Sequence, residues 1–188
     1  MVSTPAALGR FCDWDCLLNW TKENPVKMKK AYNKQVSKEL KAFNVKSKTK
    51  SSWVKEAQIN FNKFIRIRDV LDPCISCGRM DHEIEYLGTG GKWDCGHYRS
   101  RGAAKQLRFN EDNAHKQCKS CNGGSAKYAQ KGETVGKSYT RNLIKKIGSE
   151  AVERLKNNNQ EETDTIESLI ELKKYYSEKF KALQSNTD

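Results

Sequence analysis

Between residues 94 and 122 the stretch DCGHYRSRGAAKQLRFNEDNAHKQCKSCN gathers two of the chain's three histidines, three of its seven cysteines and three asparagines among basic residues. Metal binding is the first chemistry these types and spacings can do. Cys74/Cys77 and Cys118/Cys121 are Cys-x-x-Cys pairs, a spacing that lets both thiolates of one turn reach a single ion. Zn²⁺ takes four such ligands at about 2.3 Å. Forty residues separate the pairs, long for a simple zinc ribbon but suited to a functional insert carried between them. The expectation is a closed, structural four-cysteine zinc site; two independent pairs of free thiols would not explain the doubled motif.

Inside the insert, His97 stands near the end of a predicted strand, Asn113 sixteen residues later, and Asn122 directly after the last cysteine. That order is the pattern of the HNH, or ββα-metal, nuclease fold. In such sites a histidine takes a proton from water and an asparagine carbonyl orients the imidazole. Hard ligands there bind one Mg²⁺ (or Mn²⁺) against the scissile phosphate. An asparagine at the start of the closing helix can present its oxygen to that ion. Asn110, in the predicted loop, reads as a turn residue.

More specifically, LDPCISCG, the long central string and NLIKKIGSEAVERL closely resemble the phage lambda NinG (Rap) family of recombination endonucleases, over roughly residues 50 to 180. The resemblance implies a phage- or prophage-encoded nuclease that cuts branched recombination intermediates, Holliday junctions and D-loops among them, in the cytoplasm of a bacterial host. It implies His97 as general base, Asn113 as the residue that positions it and Asn122 as a ligand of a catalytic divalent cation. Many HNH enzymes carry an acidic residue or histidine immediately before the base, where this chain has Gly96. Asp94 and His115 are the two candidates for the missing ligand, and they are not exclusive; on a strand His115 would share a face with Asn113 and Gln117. Cys95 reads as a space-filler.

The charge balance agrees with a polyanionic partner. Thirty-five Lys and Arg against 23 Asp and Glu give +12. The segment from Lys22 to Lys50 has ten lysines and two glutamates (+8), and Lys92 to Lys131 has nine basic and three acidic residues (+6). From Glu150 onward six basic residues meet nine acidic ones (−3), which favours packing or dimerisation there over DNA contact. Arg99, Arg101, Lys105 and Arg108 after the candidate base, with Lys116 and Lys119 beside the second knuckle, are the expected phosphate contacts on branched DNA. Tyr98 and Trp93 could stack on an unpaired base or pack in the core. The rival reading is a non-catalytic zinc-finger DNA-binding protein acting in recombination, for which the zinc and the charge are equally expected. No small-molecule substrate is expected. With no signal-like or membrane-length apolar run, no membrane partner is expected either.

The elements that must position these residues follow from periodicity. Hydrophobic residues make up 36% of the chain and charged residues 31%, so the apolar core is modest and a metal staple would help it fold. The fold class expected is α+β: a small zinc-stapled ββα-metal (HNH-like) core embedded in flanking α-helices. Residues 1-20 hold Cys12 and Cys16, read as the remnant half of a zinc finger, and residues 21-50 form a basic helix or arm opened by Pro25. Residues 51-148 form the nuclease core. Its first helix, capped at Ser51 or Ser52, carries Trp53, Ala57, Phe61, Phe64 and Ile65 at helical spacing. CGHYRSRG and NAHKQC are the two strands. Residues 149-188 are a C-terminal helical region with an Asp164/Glu167 capping box and a stripe of Ile166, Leu169, Ile170, Tyr176, Phe180 and Leu183, suited to core packing or to a homodimer.

Overall fold

The computed structural model describes residues 14–85, 90–125, 127–128, 132–161 and 164–185, and the chain divides into two units, Met1–Thr49 and Lys50–Asp188. In the first unit, α1 (Trp14–Glu23) leads into α2 (Pro25–Ser47). Asn24 separates them, its backbone N–H and its side-chain amide both donating to the Trp20 carbonyl, and Pro25 occupies the first turn of α2, where a missing N–H costs nothing. Lysines placed around α2 leave it no broad apolar face, and Tyr32, Leu40 and Phe43 are exposed along it. Cys12 lies outside the described residues, so no half finger is described.

The second unit is α+β and mostly helical, with a single two-stranded sheet among the described residues. Its long helix α3 (Lys50–Arg68) buries Trp53, Ala57, Phe61, Phe64 and Ile65, the stripe that its periodicity predicts. Strands β1 (Trp93–His97) and β2 (Ala114–Cys118) pair antiparallel, with Asp94 opposite Gln117, Gly96 opposite His115 and His97 opposite Ala114. Alternation then sends Cys95 and Ala114 into the α3 cluster and leaves Asp94, Gly96, His115 and Gln117 on the other face. Helices α5 (Val135–Ile147) and α6 (Ser149–Asn157) join at Gly148, whose φ of +85° suits glycine. Tyr139 of α5 donates its hydroxyl to the Gly96 carbonyl at 3.1 Å, tying α5 to the sheet.

The closing helix differs from expectation. α4 (Lys119–Asn122) is a single turn, ended at Gly123 and Gly124, the latter at φ +81°. Asn122 is therefore its last residue rather than the first of a long helix. α7 (Ile166–Gln184) also starts one step later than predicted. Thr165 and Ser168 form the capping box, each hydroxyl accepting the other's backbone N–H, at 3.2 and 2.9 Å.

The α7 stripe is taken up inside the chain. Leu169 packs with Trp53 and Ala57, and the Tyr176 ring meets Phe61 edge-on at 4.9 Å, its hydroxyl donating to the Phe109 carbonyl. Only Ile166 and Ile170 of the stripe remain exposed. Across the seam Lys173 reaches Glu56 and Lys179 reaches Glu111. No helix among the described residues is long and apolar enough to cross a membrane.

A buried carboxylate links three elements. Asp69, just past α3, accepts from Arg68, from the Lys116 backbone N–H of β2 and from Lys146 of α5, with His115 at 3.5 Å. Burial opposes its charge, but Arg68 and the Lys116 backbone N–H, both donating to it, hold its carboxyl far below the usual carboxylate range.

Candidate functional site

Cys74 and Cys77 lie on the turn between α3 and β1, Cys118 ends β2 and Cys121 sits in α4, and their four sulfur atoms all lie within 4.8 Å of one another. A tetrahedron with bonds of about 2.3 Å has edges of roughly 3.8 Å, so the cluster fits Zn²⁺ with little adjustment. The first turn closes through Gly78, at φ +72°, whose N–H donates to the Cys74 carbonyl at 2.8 Å. Backbone N–H groups of Cys118 and Cys121 donate to the sulfurs of Cys74 and Cys118, at 3.3 and 3.5 Å, which favours thiolates. Hydrogen bonds from Cys118 and Cys121 hold the Cys74 and Cys77 thiols low, while the Cys118, Cys74 and Cys77 sulfurs push Cys121 up. Four such thiols ionise together only around a cation. Cys95 is not part of the cluster: it packs toward α3, and burial pushes its thiol up to about 12.

Beside the cysteines an open cleft of about 870 Å³ runs between β1, α4 and the start of α5. Its lining includes His97, Arg101, Gln117, Asn122, Lys137 and Tyr139. The His97 ring lies 6.0 Å from Phe61, and its Nε2 meets the Arg108 carbonyl at 3.0 Å. A carbonyl only accepts, so Nε2 carries the proton and Nδ1 holds the lone pair. Burial, with Arg101 and Arg108 nearby, lowers the imidazole from its ordinary 6.5 to about 4.

Asn113 is not the group that touches His97. It is fully buried, its Oδ1 accepting from Arg99 N–H at 2.8 Å and its Nδ2 donating to the carbonyls of Arg99 and Leu107. The amide thus clamps the two ends of the loop from Arg99 to Leu107, and Arg108, which holds His97, follows directly. Asn113 acts on the imidazole one step removed, through backbone.

Asp94 and Asn122 are together: Asn122 Nδ2 donates to Asp94 Oδ2 at 3.0 Å. His115, the other candidate ligand, is only 2% exposed and already engaged on both nitrogens, Nδ1 with Arg68 at 3.0 Å and Nε2 with the Asp112 carbonyl at 3.1 Å. It belongs to the Asp69 network.

The basic residues also separate. Arg99 turns inward, its guanidinium donating to the carbonyls of Leu155, Lys156 and Asn158 at the C-terminus of α6. Lys116 is 4% exposed, bonded to the Val70 carbonyl at 2.8 Å and 4.4 Å over the Trp93 ring. Among the described residues the Arg108 side chain reaches the Arg101 carbonyl, at 3.5 Å, and Lys119 opens α4. Arg101 and Lys105 are exposed, with no side-chain partner among the described residues. Of the aromatic candidates, Trp93 donates to Asp81 and Tyr98 packs on Tyr139 at 5.6 Å. Lys137, in the cleft wall, was not among the expected contacts; only the fold brings α5 to β1.

A family model described as "Bacteriophage Lambda NinG protein" matches residues 6–186. The chain is 42% identical to "Protein ninG" of Escherichia phage lambda over 147 residues, 78% of this chain and 65% of the relative. It is 40% identical to "Protein ninG" of Escherichia phage 933W over 147 residues (78% and 66%) and 39% to that of Salmonella phage P22 over 147 residues (78% and 65%). The chain thus spans slightly less than two thirds of the length of these relatives. No solved structure matches it.

Proposed function

The chain belongs to the bacteriophage lambda NinG family, and from that membership and the cleft beside its cysteines we propose that it is a metal-dependent endonuclease of the HNH type, acting on branched DNA such as Holliday junctions and D-loops during phage recombination. The observation that carries the reading is the meeting of His97, Asn122 and Arg101 on one open cleft, with Asp94 bonded to Asn122 and a candidate zinc cluster at its edge. A neutral imidazole takes a proton from water, and Arg101 and Lys137 bind phosphate oxygens without reading base sequence. Asp94 and Asn122 offer hard oxygens to a divalent cation, Mg²⁺ or Mn²⁺, which when bound would polarise the scissile phosphate. The four-cysteine site holds these parts in register.

The test is incubation of the zinc-loaded protein with a synthetic four-way junction and with linear duplex of the same sequence. Nicking at the branch that requires Mg²⁺ and stops in EDTA is expected. Retained binding with no cut in any divalent metal would leave the basic, zinc-stapled binder as the function.

The two arginines make a second test. Arg101→Ala should lower junction affinity and flatten the dependence of log K on log salt by about one ion, with the unfolding midpoint unchanged. Arg99→Ala should do the reverse and lower the unfolding midpoint, because it uncaps α6. Anisotropy titrations at several salt concentrations beside urea melts read both effects.

A further inference from the structure

Gly96 is a glycine because another side chain occupies its place. A Cβ added there would lie 2.0 Å from Gln117 Oε1 and 2.8 Å from Gln117 Cβ and Cδ, so the Gln117 amide lies across the sheet over the glycine. Gln117 is 5% exposed, and its Nε2 donates to the buried Ser76 hydroxyl at 2.7 Å. That bond turns the other end of the amide the opposite way. Among the described residues Oε1 has no hydrogen-bond partner, and Gln117 lines the cleft. This carbonyl oxygen is not sealed in the core but opens on the cleft, where its lone pairs can meet a ligand.

Two further oxygens share its surroundings. The strand register sets Asp94 directly opposite Gln117, on the same face of the sheet. Asn122 spends Nδ2 on Asp94 Oδ2. Asn122 Oδ1 and Asp94 Oδ1 are then left, like Gln117 Oε1, without a partner among the described residues. One carboxylate and two carboxamide carbonyls are acceptors only, and such a set suits a hard, oxygen-seeking divalent cation that keeps part of its water shell.

We propose that Gln117, through Oε1, is a ligand of the same divalent cation as Asp94 and Asn122, and that Gly96 lacks a side chain to admit it. The proposal rests on the reading of the cleft as a cation site. His115 shares the face but not the role, since Arg68 and Asp112 already engage both its ring nitrogens.

The probe is Mn²⁺, titrated into the full-length, zinc-loaded protein without DNA, with free Mn²⁺ read by electron paramagnetic resonance. The wild type should bind one Mn²⁺. Gln117→Ala should bind it about 10- to 100-fold more weakly, the scale on which loss of a supporting ligand shell group acts. Gly96→Ala should weaken it similarly by displacing the amide. Gln117→Glu keeps the oxygen and adds a charge, so it should bind at least as tightly as the wild type, and it also serves as the variant that fills the same space in the fold.

Binding by Gln117→Ala within twofold of the wild type, with binding lost in Asp94→Asn, would overturn the role of Gln117 while leaving the cation site in place. Equal weakening in Gln117→Glu would overturn it as well, since the hydrogen bond to Ser76 and not the oxygen would then matter. A wild type that takes up no Mn²⁺ would remove the cation site itself and, with it, the metal part of the proposed function.

Discussion

Cys118→Ser is expected to unfold the Lys50–Asp188 unit rather than loosen it. Cys118 is fully buried at the end of β2, where it is both one of four clustered sulfurs and the acceptor of the Cys121 backbone N–H. A structural zinc contributes on the order of 10–16 kcal/mol, whereas a whole domain is typically stable by about 5–15 kcal/mol. The apolar contacts of this unit cannot absorb that loss, because its core is split into small clusters and the cysteines themselves form one of them, with Ile84. Far-UV circular dichroism should show a collapse of helical signal in Cys118→Ser, and the same collapse in wild type treated with a strong chelator, reversed by added Zn²⁺. Cys95→Ala, which touches α3 and not the cluster, should keep its fold and its zinc. Retention of the full helical signal after zinc removal would show that the cysteines do not staple the fold.

How much of this could be read beforehand depended on the range of the interaction. The α3 face was legible because a helix repeats its apolar positions locally, and the two strands because short runs flank the loop between them. The four cysteines were legible because each pair is a local turn and only the joining of the pairs is long-range. Asn110 as a turn residue was equally local: its Oδ1 accepts from the N–H groups of Asp112 and Asn113, two and three residues on. Hydrogen-bond partners were not legible. Arg99 looks like a phosphate contact in sequence, yet its guanidinium is spent on carbonyls more than fifty residues away. His115 looks like a metal ligand, yet its partners come from the end of α3 and from the turn before β2. Gln117 carried no motif at all. Its one trace in the sequence is the glycine opposite, and that trace has meaning only once the register is known.

His97→Ala is expected to lower the rate of junction cleavage by about 10²–10⁴, the usual contribution of a positioned general base, with binding and the unfolding midpoint little changed. The Arg108 carbonyl fixes the ring by accepting from Nε2, so the base is Nδ1, and Asn113 holds the loop that carries that carbonyl. Two variants separate these layers. His97→Ala removes the base outright, whereas Asn113→Ala leaves three backbone groups without partners and should cost stability along with rate, since each unsatisfied buried group costs about 1–3 kcal/mol. The pH profile distinguishes a base from a structural histidine. Burial lowers His97 to about 4, so the ring is neutral and able to accept a proton throughout the neutral range. The rate should therefore be flat with respect to this group near pH 7 and fall only as pH drops through about 4. Stability should move earlier and in the same direction: an unfolded chain protonates this histidine near its ordinary 6.5, so the folded state loses stability as pH falls from about 6.5 to about 4 and gains none above. Cleavage measured by short assays at a pH where the protein remains folded isolates the first effect from the second. A His97→Ala protein that cuts a junction at the wild-type rate would remove His97 as the base.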